Sequence, residues 1–282
     1  MNDPMRDSGA FFIGWQPRMP GAYARPVRMA VAAFALVSVL VASLLVLSQR
    51  GFETSVFEFG KISTNEGILV LSPVPMLKVV SGTDAEGKVL YNSLLLVGAG
   101  KMGADTALHQ MALQMGQPLA GKTLKLRGTL IYYQGKTALE LSEGASAFAG
   151  LEDNSRVYMP DTEELGDISL RGEILDPKCA LGVMKPGHGK PHLSCAVRCI
   201  SGGIPALLRV AQKSGETRYV ILLNEDRRPA GPQVLAYVAE QVQVCGRLER
   251  QDDWLLLVLS AEDPVQRLQP RGGRADVAMC GG

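Results

Sequence analysis

Two stretches, Leu119–Ser142 (LAGKTLKLRGTLIYYQGKTALELS) and Val238–Ser260 (VAEQVQVCGRLERQDDWLLLVLS), decide how this chain folds. Leu124, Leu126, Gly128, Leu130, Leu139 and Leu141 align with Val242, Val244, Gly246, Leu248, Leu257 and Leu259 at a constant offset. Alternate residues are apolar in both copies, the period of a strand with one buried face. A glycine inside such a strand suits a sharp bend, as at a barrel corner. Gln134-Gly135 and Asp252-Asp253 supply the hairpin turns.

Working upstream, the likeness continues more loosely. Gly67-Ile68-Leu69 resembles Glu173-Ile174-Leu175, Pro75–Val79 resembles Ala206–Val210, and Leu94–Val97 resembles Tyr219–Leu222. Each copy reads as about five strands with one short helix before the last hairpin, over residues 106–115 and 232–240. Five strands and a helix in about 100 residues predict a small, partly open barrel of the OB type. A generic β-sandwich is the competing fold. The expected units are residues 52–150 and 165–262, with 263–282 as a disordered tail.

Residues Met29 to Ser48 carry no charge over twenty positions, the length that crosses a hydrocarbon core of about 30 Å. Arg6, Arg18, Arg25 and Arg28 precede the run, and only Arg50 and Lys61 follow closely. That bias predicts an uncleaved single-pass helix in a bacterial inner membrane. Residues 1–28 would lie in the cytoplasm, unstructured, and the folded mass in the periplasm. A cleaved signal peptide is the alternative, but the run exceeds a usual h-region and no A-x-A-like site follows it. Overall, the fold class predicted is mainly β: an N-terminal transmembrane helix, then two tandem OB-like barrels.

The two copies differ at one place. Ile68 and Leu77 lie nine residues apart, whereas Ile174 and Leu208 lie thirty-four apart. The additional segment, within residues 176–203, holds three of the five cysteines and two of the three histidines. Pro191 can start a helix that Gly202-Gly203 ends. On it His192, Cys195 and Cys199 fall on one face. Cys179 follows a strand and can be brought across by the Gly/Pro-rich loop 182–189. The set suits tetrahedral zinc or sulfur-bound copper, with His188 as an additional ligand on the loop. A disulfide from Cys179 to Cys195 or Cys199 would instead staple the loop. Thiol redox or copper-transfer chemistry through Cys195 and Cys199 is the third reading.

Here the residues resemble a motif of small exported bacterial β proteins: D-x-x-C at Asp176–Cys179, H-x-x-C-A-x-x-C at His192–Cys199 and G-G-x-P at Gly202–Pro205. The resemblance covers the second unit only. It implies an extracytoplasmic setting and an OB-like barrel, and brings no activity with it.

Other signals are weaker. Gly98-Ala99-Gly100-Lys101-Met102-Gly103 spells a dinucleotide fingerprint, but no acidic residue follows at the required distance, so a glycine-rich turn is expected. Cys245 is expected to point away from its strand's buried face, and His109 to be exposed. Net charge is +1 and aromatics make up 6% of the chain, which argues against nucleic acid and against a ring-lined sugar face. No catalytic set is evident. The functional expectation is therefore an accessory, assembly or scaffold protein of a membrane redox system, with a membrane-protein partner and no nucleotide. A copper or zinc chaperone, or a thiol-redox protein, is the alternative. A peptide or oligosaccharide binder ranks third.

Overall fold

The computed structural model describes residues 19, 21–49, 54–152, 158–212, 216–261 and 264–268. It divides into an N-terminal unit, residues 1–52, and a larger unit, residues 53–282. The first contains one helix, α1 (Gly21–Gln49), long and apolar enough over Tyr23–Ser48 to cross a membrane. Residues 21–28, expected to be unstructured, are its first two turns, and it passes through Pro26. Residues 1–18 lie outside those described.

The larger unit is two barrels. The first comprises β1 (Val56–Phe57), β2 (Ser63–Val70), β3 (Met76–Thr83), β4 (Val89–Val97), α2 (Asp105–Met115), β5 (Thr123–Tyr133), β6 (Lys136–Leu141) and β7 (Phe148–Glu152). The second comprises β8 (Thr162–Leu175), α3 (Leu193–Ser201), β9 (Leu207–Ala211), β10 (Thr217–Leu223), α4 (Gly231–Val234), β11 (Gln241–Gln251), β12 (Trp254–Leu259) and β13 (Val265–Arg267). In the first, β2, β3, β4, β6 and β5 pair in that order, and β5 returns to β2. In the second, β8, β9, β10, β12 and β11 do the same. Both contain one parallel pair, β4 with β6 and β10 with β12, and a helix between their third and fourth strands. This is the closed OB topology, twice.

The hairpins align as the sequence predicts. A Cβ on Gly128 would stand 2.2 Å from the Glu140 carbonyl oxygen, and one on Gly246 2.2 Å from that of Val258. Each glycine lets the bent strand press onto its neighbour. The first strands differ from the sequence alignment by one residue. Gly67 pairs with Leu124 and Gly172 with Val242, so Leu69, not Ile68, is the counterpart of Ile174. The shift leaves Leu69 and Ile174 in the two barrel cores and puts Glu173 opposite the position of Ile68. The second helix, expected over 232–240, is shorter: α4, then a single 3-10 turn at Leu235–Tyr237. Part of the segment expected to be a disordered tail is β13, paired with β11. Residues 269–282 lie outside those described.

One-sided burial is the larger correction. Leu69, Leu77, Leu94, Leu96, Leu124 and Leu139 fill the first barrel, and Leu208, Val220, Leu222, Val242 and Leu257 the second. The alternate residues are buried too. Met76, Leu95, Ile131 and Ala138 of the first barrel form one cluster with Leu207, Tyr219, Ile221, Leu256 and Trp254 of the second. The uninterrupted apolar runs LLLV and YVILL are therefore strands covered on both faces.

A polar lock flanks this seam. Lys78, 1% exposed, reaches Ser93 and the Asp252 carboxylate, both at 2.7 Å. Tyr158 also donates to Asp252, and Trp254 Nε1 donates to the Ser93 carbonyl at 3.2 Å. Burial works against the Asp252 carboxylate. The bonds from Lys78, Tyr158 and the Asp161 N–H outweigh it and hold that carboxyl below its ordinary range. Its folded pKa thus lies below the unfolded one. The stabilisation is complete above the unfolded value of ~3.9 and is lost as pH falls through the folded one. Asp252→Ala leaves Lys78 buried without its counter-ion, and is expected to cost about 3 kcal/mol in denaturant unfolding of the detergent-solubilised chain.

Candidate metal centre

The additional segment opens on Asp176, directly after β8. Its backbone turns at Cys179–Val183. The loop then returns to a 3-10 turn, Lys190–His192, which runs into α3. Buried Glu173 anchors the return by accepting the Gly189 N–H. Helix α3 ends at Gly202, whose N–H bonds to Arg198.

The predicted ligands meet in two overlapping groups that share Cys179, and His192 stands in the 3-10 turn before α3, not on the helix itself. The sulfurs of Cys179 and Cys195 and one ring nitrogen of His192 lie within 4.8 Å of one another, as do an Asp176 oxygen and the sulfurs of Cys179 and Cys199. Cys179 and Cys195 stand 3.3 Å apart, Sγ to Sγ, and the three segment cysteines are free thiols. His188 is half-buried and belongs to neither group.

Asp176 was not singled out by sequence reasoning as a site residue. It is fully buried, and both carboxylate oxygens are used. Oδ1 accepts the Cys179 N–H at 3.0 Å, which forms the turn. Oδ2 lies 2.8 Å from His192 Nε2. A carboxylate accepts only, so His192 Nε2 donates to it. His192 Nδ1 is buried and has no hydrogen-bond partner among the described residues. A histidine held on one nitrogen by a carboxylate, with the other nitrogen bare, has the arrangement that orients metal-bound imidazoles. The D-x-x-C spacing was the signal available: an aspartate three residues before a cysteine can cap the turn that presents it.

The thiols polarise one another. The hydrogen bond Cys179 shares with Cys199, then burial and the Asp176 charge, push the Cys179 thiol up. The same bond draws the Cys199 thiol down, against burial and Asp176. A buried carboxylate, an imidazole and three sulfurs this close together could hold a metal ion.

Two lysines were also missed. Lys101, in the glycine-rich turn of the first barrel, places Nζ 2.8 Å from Cys195 Sγ, and that bond raises its own pKa. Lys178, 4% exposed, donates to the carbonyls of Gly98 and Gly100 at 3.1 and 2.5 Å and to Glu140 at 2.7 Å. The G-x-G-x-x-G turn therefore offers carbonyls to a cation, the opposite polarity to a phosphate cradle. It docks on the end of α3, where Gly103 N–H bonds to the Gly202 carbonyl at 2.8 Å. A Cβ on Gly202 would meet the Lys101 carbonyl oxygen at 2.0 Å. Val97 of the first barrel packs with Cys199 and Ile204. The site thus sits at the seam between barrels, which one unit's sequence cannot reveal.

Cys245 is 6% exposed and disulfide-bonded, not a thiol facing solvent. His109 is exposed on α2. With Cys179 and Cys199 buried and Cys195 half-buried, iodoacetamide is expected to modify Cys195 first in the folded, metal-free, reduced protein. Peptide mass spectrometry should find Cys179 and Cys199 modified only after denaturation.

No protein-family model matches this chain, and no curated protein matches it. Among solved structures it is similar to a deletion mutant of the single-stranded DNA-binding protein from Thermus aquaticus. That pair is 13% identical with a TM-score of 0.21, covering 79% of this chain and 98% of that one.

Proposed function

We propose that this chain is a membrane-anchored, extracytoplasmic protein that holds one soft metal ion, zinc or Cu(I), in the pocket of Cys179, His192, Cys195 and Cys199. It would serve as an accessory or assembly subunit beside a membrane redox complex. The observation that carries the metal reading is the bare, buried Nδ1 of His192. An unsatisfied buried polar atom costs about 1–3 kcal/mol, and a metal ion among three sulfurs relieves it. Three thiolates and an imidazole form the Cys3His set of structural zinc and also suit Cu(I).

The helix α1 and the arginines before it support a single-pass anchor with its N-terminus in the cytoplasm. The disulfide at Cys245 supports an oxidising compartment such as the periplasm. The accessory role rests on architecture: two fused barrels on an anchor present a rigid surface beside a membrane partner.

The purified full chain should contain about one zinc or copper ion. His192→Ala should abolish retention, and Asp176→Asn should weaken affinity about 10–100-fold, read by competition with a chromogenic chelator. A chain that acquires neither metal rejects this reading. Protease added to spheroplasts should digest the chain beyond residue 50 and spare the anchor. Protection of the barrels would place them in the cytoplasm instead.

The 3.3 Å approach of Cys179 and Cys195 favours one second reading, thiol–disulfide exchange. The two thiols would give two electrons and two protons to a partner disulfide, which leaves as a dithiol. This pair, not Cys195 with Cys199, is the one placed for it. A metal-free protein with Cys179 and Cys195 cross-linked after purification would select that reading over the first.

A further inference from the structure

The four candidate ligands differ in access. Cys179, Cys199 and His192 are 3%, 1% and 0% exposed. Each is held from behind: Cys179 by the turn capped on Asp176, His192 by the Asp176 carboxylate, Cys199 by packing against Val97 and Ile204. Cys195 alone is half-buried, and its sulfur meets an exposed ammonium, Lys101 Nζ at 2.8 Å. That lysine comes from the other barrel, on a turn bonded to the end of α3.

Resting on the metal reading above, we propose that Cys195 is the exchange edge of the site. A cysteine-bearing metal carrier delivers or removes the ion by substituting its own thiolate for the Cys195 sulfur, and Lys101 holds the charge of the incoming thiolate.

The physical basis is the order in which bonds can break. A d10 ion carries no electronic preference for geometry, so ligands are exchanged one at a time through an expanded coordination shell. The first ligand to leave must be able to swing away, and the newcomer must reach its place from solvent. Cys195 meets both conditions. In the step, the carrier's thiol loses its proton and its sulfur bonds the metal. The bond from the metal to Cys195 breaks, and Cys195 takes up a proton. No electron moves. Lys101 favours an anionic sulfur at the mouth of the site, where a neutral thiol would bind the metal poorly. Sulfur donors also match this pocket better than the hard oxygen ligands of a carboxylate carrier.

The test uses the full chain in detergent, loaded with zinc, and a Cys-Gly-Gly-Cys peptide with blocked ends as acceptor. Transfer is followed by stopped flow and expressed per bound zinc ion. Lys101→Met should slow transfer about tenfold, the worth of one charge-assisted hydrogen bond. Lys101→Arg should restore it. An unchanged rate in Lys101→Met, with zinc bound, overturns the exchange edge and leaves the metal reading standing. Failure of the wild-type chain to take up zinc or Cu(I) overturns the metal reading itself.

Discussion

The dry seam shared by the two barrels is the constraint on which the rest depends. Leu95 and Ile131 on one side and Ile221, Leu256 and Trp254 on the other exclude water from a surface that each barrel alone would expose. Burial of this kind stabilises in proportion to apolar area and has no direction of its own. Direction comes from the polar groups around it. Lys78 on Asp252 and Trp254 on the Ser93 carbonyl set the orientation at one place, and Lys178 on the Gly98 and Gly100 carbonyls at another. A buried lysine is tolerated at each because its ammonium is paired with a carboxylate.

With the seam in place, the thiol pocket becomes a property of both barrels. The second supplies Cys179, His192, Cys195 and Cys199 on a turn and a helix. The first supplies Lys101 and the apolar wall at Val97. Asp176 orders the interior, since one oxygen shapes the turn that presents Cys179 while the other holds the His192 ring. The result is polarised from inside to outside: a buried carboxylate at the back, sulfurs and an imidazole nitrogen between, and an ammonium at the exposed front. Such a gradient attracts a soft cation from within and anionic sulfur from without.

The segment that carries the pocket is an addition between the first two strands of an otherwise regular barrel. The first barrel closes without it, as its Leu69 and Leu77 lie in adjacent paired strands joined by a short connection. Loops on a rigid scaffold are where a fold can acquire chemistry at little cost to its core. Here the scaffold also supplies a neighbour, and Asp176, Cys179, His192 and Cys199 of the added segment are buried while residues such as Lys185, Lys190 and Ser194 face solvent.

The sequence by itself determined the two barrels, the apolar helix and the short helix that carries Cys195 and Cys199 just after His192. All three follow from local periodicity: two in a strand, 3.6 in a helix, and a long run without charge. A repeat comparison also located the added segment, because insertions leave strand spacing unmatched. It misplaced the first strand by one residue, since Ile68 and Ile174 match as letters while the pleat and the pairing of Gly67 and Gly172 put Leu69 in that place. Only the tertiary structure decided the roles of Asp176, Lys101, Lys178 and Lys78. The lysines act across large separations in the chain, up to 174 residues for Lys78 and Asp252, and Asp176 reaches His192 through a loop return that no local period encodes. Double-sided burial of the β4, β10 and β12 strands was written in their unbroken apolar runs, yet which surface covers the second face is a matter of barrel-to-barrel packing.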